Sequence, residues 1–362
     1  MNPFDPKMLP IDKNELKSEI YTESLIDATA RLEVYKEKLK DSKLDTRWFL
    51  PTLQQKEALA SAVLEGTQAT IDGVLINQVV PNEKDKNLAE VINYFNASEA
   101  GYNILHSRRI TIDFIKDIHK ILMSGNVRGK NLSIGEFRKQ QNYIGKVNAK
   151  NAISYTPPKP EKVNELMENL VSYINHPQDK LRPLVRTAII HAQLETIHPF
   201  MDGNGRLGRI FIPLYLYAQQ QISEPCFFIS EALERDKFKY YSLLNEIRTH
   251  NRWGEWIDFF LKAVVTQCGK YIDLVSKINV LYNSDLKHAK ELVKNNKIVD
   301  VINLMYKFPV ITAKTLTDHT DIPQASAIRY LNTLTEHKIL FVDEKSRNRN
   351  FYYYGLLNIL RE

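Results

Sequence analysis

The sequence has few cysteines, no long apolar run and no strong excess of charge of one sign, and each shortage excludes a class of protein. Cys226 and Cys268 are the only cysteines among 362 residues, too few for a disulfide scaffold, so we expect both to be reduced thiols. No apolar stretch approaches the roughly 18 residues that a bilayer span requires. Because residues 1–7 also lack the basic flank and apolar run of a signal peptide, we expect a cytoplasmic protein with no membrane partner.

The composition is that of an ordinary globular protein, with 43% hydrophobic and 25% charged residues. The net charge of +6 is spread along the chain, which permits a nucleic-acid partner without requiring one. A single core stops growing at a few hundred residues, so this length suits two or three packed units. We expect units at residues 1–105, 106–285 and 295–362.

Helical periodicity dominates the pattern of apolar residues, which predicts a mainly α protein. Between residues 132 and 160 the helical pattern breaks. There Gly135 and Gly145 surround residues 141–144, which predicts a short hairpin or flap. The predicted helices cover residues 16–40, a segment opening at Pro51, and residues 88–104, 161–174, 184–197, 205–219, 232–248 and 253–281.

The C-terminal residues differ in predicted secondary structure, with short helices followed by two β-rich runs. Helices are predicted at 298–306, from Thr312 and at 323–337, and strands at 339–342 and 351–354. Three helices and a two-stranded ribbon resemble a winged helix-turn-helix, joined to the rest by a hinge at 287–297. Residues 297–362 carry nine Lys or Arg against seven Asp or Glu, a thin footprint for DNA. DNA binding and protein docking both stay open for this unit.

The segment from His198 to Arg209, HPFMDGNGRLGR, contains the residues most suited to chemistry. Pro199 stops one predicted helix, and Gly203 and Gly205 bracket Asn204 before the next helix begins. The backbone N–H groups of such a loop, together with the positive end of the following helix dipole, form a site for phosphate oxygens. The glycines let the chain approach the phosphates closely.

Charged side chains around this loop complete a site for attack on phosphorus. Arg206 and Arg209 lie three apart, on one helical face, and add charge-assisted hydrogen bonds to an anion. Asp202 is a hard oxygen ligand suited to Mg²⁺, which prefers few carboxylates plus phosphate and water. His198 takes up a proton near neutral pH. A base, a metal and an anion cradle are the parts that phosphoryl chemistry needs.

Every specified position of this segment matches the Fic signature: His, any residue, Phe, any residue, Asp or Glu, Gly-Asn-Gly-Arg, two residues, Arg. The chain resembles the Fic family from about residue 53 to 261, and residues 135–138 and 141–145 resemble the family's flap. The resemblance implies a mainly α fold: a Fic helical bundle with a small β-hairpin flap. Within it, residues 1–105 form a helical region with an inhibitory motif and 106–285 form the catalytic core with supporting helices. The winged helix would follow as a separate unit.

The resemblance also implies an enzyme that transfers AMP from ATP to a Ser, Thr or Tyr hydroxyl of a target protein, or of itself. His198 would be the base, and Asp202 would hold the Mg²⁺. Ile144 and Gly145 would clamp the target by strand addition, although a merely structural hairpin remains an alternative. The implied nucleotide contacts are Gly203, Asn204, Gly205, Arg206, Leu207, Gly208 and Arg209, with Tyr240 and Tyr241 as candidates to stack on adenine.

Several aromatic and histidine residues have plainer alternatives. Tyr240 and Tyr241 fit core packing about as well as adenine stacking. Trp253 and Trp256, three apart on a helix, are more typical of a core. His191 lies two helical turns before His198, but no third metal ligand is visible, which favours a buried, hydrogen-bonded histidine.

Residues 61–66, SAVLEG, resemble the family's inhibitory motif: Ser or Thr, three residues, Glu, then Gly or Asn. In relatives with this motif the glutamate pairs with the second arginine of the signature, so Glu65 is expected to pair with Arg209. That pairing would remove the partner of the γ-phosphate and repel the triphosphate. Alternatively, Glu65 would orient a water that removes AMP from a modified target.

One alternative function belongs to another class: a DNA-binding transcriptional regulator in which the Fic module only senses nucleotide. The intact His198 and Asp202 favour the enzyme, because a sensor needs no general base. Relatives also transfer UMP, phosphate or phosphocholine. The sequence leaves open the donor nucleotide, the target protein, the physiological direction of the reaction, and whether the chain forms a homodimer.

Overall fold

The computed structural model describes residues 2–82, 84–125, 127, 133–145, 155–224 and 226–362. It is mainly helical, as the periodicity predicts. From the N-terminus the helices are α1 (Lys13–Leu16), α2 (Thr22–Lys40), α3 (Thr46–Leu64), α4 (Ile71–Asn77), α5 (Lys86–Leu105), α6 (Ile112–Leu122), α7 (Val163–Asn175) and α8 (Pro183–Ile197). They continue with α9 (Asn204–Ala218), α10 (Ser230–Arg235), α11 (Lys237–His250), α12 (Trp253–Leu292), α13 (Ile298–Lys307), α14 (Ala313–His319), α15 (Gln324–Glu336) and α16 (Tyr354–Arg361).

Helix α8 lies at the centre of the bundle. Every residue from Leu184 to Ile197 is buried, including polar ones such as Arg186 and Glu195, so the helix is packed on all sides. Pro183 begins the helix at a position where its missing N–H costs nothing. Helices α7, α9, α11 and α12 pack around it. The loop that follows α8 is therefore held by a fully packed support.

Helix α3 brings the SAVLEG motif to the core. Asp45 caps its N-terminus by accepting from Arg47 N, and Glu65 follows its last residue. Gly66 then takes φ +89°, the left-handed conformation that commonly ends a helix. Helices α5, α10 and α13 pack against α3. The predicted single helix at 16–40 is wrong at its start, because α1 and a 3₁₀ turn at Ser18–Ile20 precede α2.

The C-terminal unit contains a three-stranded antiparallel sheet, where the sequence predicted a two-stranded ribbon. Strands β1 (Val310–Ile311), β2 (Phe341–Val342) and β3 (Phe351–Tyr352) are arranged in the order β1-β3-β2. Two-residue strands carry too little alternation to be recognised from sequence, which is why β1 was missed. The second predicted strand is also too long, because Tyr354 begins α16.

The predicted hinge at 287–297 is only partly correct, because the 40-residue helix α12 continues to Leu292, past the expected boundary at 285. Helix α13 packs on α3 and on α12, and α16 packs on α12 and α4. Arg361 also forms two hydrogen bonds to the Asp72 carboxylate of α4, at 3.1 and 2.8 Å. The C-terminal unit is therefore docked on the helix that carries the SAVLEG motif.

The flap is described only at its two ends. Ile144 and Tyr155 form an antiparallel bridge, with N···O distances of 2.9 Å in both directions. The rest of the predicted hairpin, residues 146–154, lies outside the described residues. Among the helices of the described ranges, none combines the length and the apolar character that a membrane span needs.

Candidate active site

His198 ends helix α8 in an unusual backbone conformation. Its φ of 50° lies in the left-handed region, which non-glycine residues visit rarely and which is often found at functional sites. Arg138 holds this residue in place, because its Nε donates to the His198 carbonyl at 2.9 Å. The backbone N–H of Arg138 donates to the Pro199 carbonyl at 2.9 Å. Arg138, which lies outside the signature segment, therefore fixes the backbone at the point where the loop begins.

The ring of His198 is held in its neutral form. Burial, followed by the positive charge of Arg248, lowers the pKa of His198 to about 3. Its Nδ1 is buried and has no hydrogen-bond partner among the described residues. The predicted uptake of a proton by His198 near neutral pH is therefore wrong for this structure, because burial and Arg248 disfavour the charged ring. The neutral ring keeps an unused nitrogen as its proton acceptor.

The side chain of Asn204 braces the loop. Its Oδ1 accepts from Phe200 N at 2.9 Å, and its Nδ2 donates to Phe200 O at 2.8 Å. Gly203 precedes α9 with φ +79°, so the chain turns sharply into the helix. The first N–H groups of α9 have no partners within the helix, which makes this end an anion site. Asn204 thus serves the site through its backbone while its side chain stabilises the turn.

Arg209 is buried and contacts the SAVLEG motif at three points. Its NH2 lies 2.7 Å from Glu65 Oε1 and donates to Ser61 O at 3.0 Å, and its Nε donates to Ser61 Oγ at 2.7 Å. Burial alone would raise the pKa of Glu65, but the Arg209 guanidinium outweighs it and holds that pKa below the usual value. A Cβ at Gly205 would lie 2.3 Å from Glu65 Oε1, so a larger residue there would have to displace the Glu65 carboxylate. The expected pairing of Glu65 with Arg209 is present in this structure.

Arg206 points away from the Glu65 pair. It is 3% exposed, and its NH1 lies 4.0 Å from Glu90 Oε2 while its NH2 lies 3.8 Å from Asp202 Oδ1. The NH2 also lies 3.4 Å from Met123 Sδ. Its Nε and NH1 have no hydrogen-bond partner among the described residues. A buried guanidinium in this state is suited to an incoming anion.

Asp202 fits a magnesium ion only in company with phosphate. Its side chain is 41% exposed, and its Oδ1 accepts from Gly203 N at 2.6 Å. No cluster of three acidic, histidine or cysteine side chains suited to a metal occurs in the described part of the chain. Because Mg²⁺ is commonly held by one or two carboxylates with substrate phosphates and water, a single exposed carboxylate fits this mode and no other.

A cavity of about 650 Å³ lies over the loop, large enough for a nucleotide. The two flap residues that the sequence singled out, Ile144 and Gly145, line it together with His198 and Arg209. Tyr155, opposite Ile144, lines it as well. The structure therefore brings the base, one arginine and the flap to a single space.

The remaining predicted contacts divide between cavity and core. Tyr241 lines the cavity, whereas Tyr240 is fully buried and its hydroxyl lies 2.9 Å from His191 Nε2. His191 is thus the buried, hydrogen-bonded residue that the sequence favoured. Leu207 is fully buried, and Gly208 packs against Glu195 and His191, where a Cβ would lie 2.7 Å from Glu195 Oε1. Both Trp253 and Trp256 belong to the core, as predicted.

Sequence reasoning missed three charged residues that line the cavity. Glu195 is 6% exposed, burial raises its pKa to about 7, and its Oε1 has no partner among the described residues. Lys237 donates to the carbonyl of Leu64, at the end of α3. Arg248 stacks on Tyr155 at 3.7 Å and donates to Glu195 O at 3.2 Å. Only Glu195 had a sequence signal, since it lies one turn before His198.

The fold and the site together define a mainly helical protein whose glycine-containing loop lies between a histidine and two arginines. Residues 109–216 match the model of the Fic/DOC family, and residues 22–103 match the model of the Fic/DOC family N-terminal region. The chain belongs to the Fic/DOC family.

Similar proteins agree on this assignment. A probable protein adenylyltransferase of Aquifex aeolicus is 24% identical over 322 residues, which are 84% of this chain and 94% of that protein. The protein adenylyltransferase Fic of Aedes aegypti is 27% identical over 252 residues, 69% of this chain but 44% of that protein. The chain thus spans less than half of the insect relative.

Solved structures support the fold. A Fic family protein from Desulfovibrio desulfuricans matches with a TM-score of 0.59 and 17% identity, over 96% of this chain and 98% of that one. A Fic domain containing signalling protein from Bacteroides thetaiotaomicron matches with a TM-score of 0.56 and 21% identity, over 70% of this chain and 96% of that one.

Proposed function

We propose that this protein is an adenylyltransferase that moves AMP from ATP to a hydroxyl side chain of a target protein, and to itself. The observation that carries the proposal is that His198, Arg209 and Gly205 line one nucleotide-sized cavity. A base, a guanidinium and a helix N-terminus around one space are the requirements for attack on phosphorus. The names of the Aquifex and Aedes relatives support the same reaction.

In the proposed step His198 takes the proton of a Ser, Thr or Tyr hydroxyl. The hydroxyl oxygen forms a bond to the α-phosphorus of ATP, and the bond from that phosphorus to the bridging oxygen breaks, releasing diphosphate. The N–H groups at the start of α9 and the guanidinium groups of Arg206 and Arg209 hold the phosphate oxygens. Mg²⁺, held by Asp202 with the phosphates, would supply neutralisation of their charge.

We further propose that Glu65 inhibits this reaction. Arg209 NH2 and Nε are both occupied by Glu65 and Ser61, so its main donors are not available to a γ-phosphate. The Glu65 carboxylate also brings negative charge to the space that a triphosphate would occupy. Since the Glu65 side chain is 33% exposed, the pair is open to exchange with solvent and with a competing anion.

The test compares full-length chains incubated with Mg²⁺ and ATP labelled at the α-phosphate. We expect Glu65→Gly to raise self-labelling at least about tenfold, because a charge-assisted bond is worth roughly 1.5–3 kcal/mol. Glu65→Gln is the matched control: it keeps the size, removes the charge and should give an intermediate rise. Arg209→Ala combined with Glu65→Gly should show no rise. Unchanged labelling in Glu65→Gly would refute the inhibition, and no label in any variant or on any lysate protein would refute the transferase.

The same residues would also support removal of AMP, with Glu65 orienting a water. Offering AMP-labelled target to the wild type distinguishes the two directions, because only removal releases AMP. Parallel incubations with labelled UTP test whether adenine is the preferred base. These measurements decide what the cavity accepts.

For the C-terminal unit we propose a winged helix-turn-helix that docks a protein. Helix α15 carries an exposed Ile328, 39% accessible, in place of a row of cations. Arg349 of the predicted wing is turned back, with NH2 2.8 Å from Asn332 Oδ1. DNA affinity depends mainly on phosphate neutralisation, which this surface provides weakly. Fluorescence anisotropy with random duplex DNA at 50 mM salt tests whether the C-terminal unit binds DNA. Submicromolar affinity would contradict protein docking as its main role.

A further inference from the structure

His119, on helix α6, lies outside the signature segment and makes two hydrogen bonds of opposite direction. It is 3% exposed. The backbone N–H of Gly135 donates to its Nδ1 at 2.9 Å, so Nδ1 carries no proton. Its Nε2 lies 3.0 Å from the carbonyl oxygen of Asp202, and a carbonyl only accepts. The two neighbours together assign the neutral tautomer that is protonated at Nε2.

The imidazole also supports the loop by direct packing. It stacks on Phe200, with ring centroids 3.7 Å apart and an interplanar angle of 6°. Gly203 is also packed closely against this ring and against Met123. A Cβ added at Gly203 would lie 3.4 Å from His119 Nε2 and 2.8 Å from Met123 Sδ. Because interiors are close-packed, the loop has little room to move while this ring is in place.

We propose that His119 is a positioning residue for the reaction proposed above: its Nε2–H donates to the carbonyl of Asp202 while its Nδ1 accepts from Gly135, where the flap segment begins. The hydrogen bond fixes the peptide that links Asp202 to Gly203. That peptide sets the direction of the Asp202 carboxylate and of the first N–H groups of α9. The flap segment and the phosphate-binding loop are thus held in register through one side chain. Loss of the donor lets this peptide rotate, which misplaces bound phosphate without removing a group that contacts it.

Two variants separate the two hydrogen bonds. The amide of His119→Gln reaches the position of Nε2 and keeps a donor for Asp202, while the shorter amide of His119→Asn keeps only an acceptor near Nδ1. In a Glu65→Gly background we expect His119→Asn to lower kcat about tenfold or more with KM for ATP changed less than about threefold. His119→Gln should retain most of the activity. His106→Gln, at an exposed histidine whose Nδ1 lies 2.9 Å from Tyr102 O, is the matched control and should change neither value.

An independent measurement needs no activity. ¹⁵N NMR of the histidine rings in the full-length chain, without nucleotide or metal, should show one buried ring protonated at Nε2 that disappears in His119→Gln. A ring protonated at Nδ1 would overturn the proposal. So would equal losses of kcat in the Gln and Asn variants with equally lowered melting temperatures, since that pattern belongs to a purely structural residue. If no variant labels at all, the transferase proposal fails while the NMR result still decides the tautomer.

Discussion

The loop between α8 and α9 and the core of the C-terminal unit differ in how their buried polar groups are paired. Around the loop, buried atoms of His198, Arg206 and Arg209 have no hydrogen-bond partner among the described residues. In the C-terminal unit the hydroxyls of Tyr306 and Tyr353 lie 2.8 Å apart, and Tyr353 also bonds to Asp285. An unpaired buried polar group costs about 1–3 kcal/mol. Within the described part of the C-terminal unit Asp343 is the exception, since both of its carboxylate oxygens are buried without a hydrogen-bond partner.

Backbone geometry at the ends of the helices shows a related difference, although Lys338 and Asn348 of the C-terminal unit are also left-handed, with φ of 60° and 49°. The loop includes His198 in a left-handed conformation and Gly203 with φ +79°, both next to the anion site. Helix α14 of the C-terminal unit begins instead with a capping box between Thr312 and Thr315, an arrangement that stabilises a helix end. The loop thus keeps unused buried donors of Arg206 and Arg209 close together, whereas α13 holds the C-terminal unit against α3 and α12.

The largest effect is expected at the loop between α8 and α9. His198→Ala should lower AMP transfer by about 10²–10⁴-fold, because it removes the general base. ATP affinity should change little, because the N–H groups of α9 and both arginines remain. Initial rates of labelling and calorimetric titration with ATP measure the two quantities, and a variant with wild-type turnover would disprove the assigned role.

Removal of residues 296–362 tests the role of the C-terminal unit. The apolar face of α13 packs on α3 and α12, so truncation exposes that surface to water. We expect a melting temperature lower by about 5 °C or more, with self-labelling raised because α3 is held less firmly. Calorimetry and labelling of the purified fragment provide the measurements. An unchanged melting temperature would mean that the C-terminal unit folds independently and does not stabilise α3.

A smaller effect is expected at the metal ligand. Asp202→Ala should lower labelling and raise the Mg²⁺ concentration needed for half-maximal rate, with excess Mg²⁺ restoring only part of the activity. Asp202→Asn keeps an oxygen ligand and should lie between the two. Rates across a magnesium titration, with chelator as the zero point, provide the measurement. Full activity in chelator would contradict a role for the ion.

The smallest effect is expected at the contact between α16 and α4. Arg361 and Asp72 are 38% and 41% exposed, and exposed pairs contribute about 0.2–1 kcal/mol. Arg361→Ala should therefore lower the melting temperature by about 2 °C or less. Asp72→Asn should do the same, and the double variant should lose no more than either single change. Additive losses would show that the two residues do not act as a pair.

Much of the site could be predicted from the sequence because its residues are close along the chain. The segment HPFMDGNGRLGR places base, metal ligand, glycines and arginines within twelve consecutive residues, so they lie near one another whatever the rest of the fold. The motif at Glu65 was recognisable by resemblance. The mainly helical fold followed from periodicity, which is strong in long helices and weak in two-residue strands.

The sequence by itself determined the long helices, the loop and the signature residues around it, but not the helices α4, α6 and α16. The tertiary structure alone decided that Arg206 faces Glu90, and that His119 and Arg138 hold the loop from distant segments. Likewise, only the structure separated Tyr241 in the cavity from Tyr240 in the core. The physical reason is separation along the chain. Local periodicity indicates which face of a helix a residue occupies, but contacts between segments far apart in the sequence depend on tertiary packing, which no short pattern encodes.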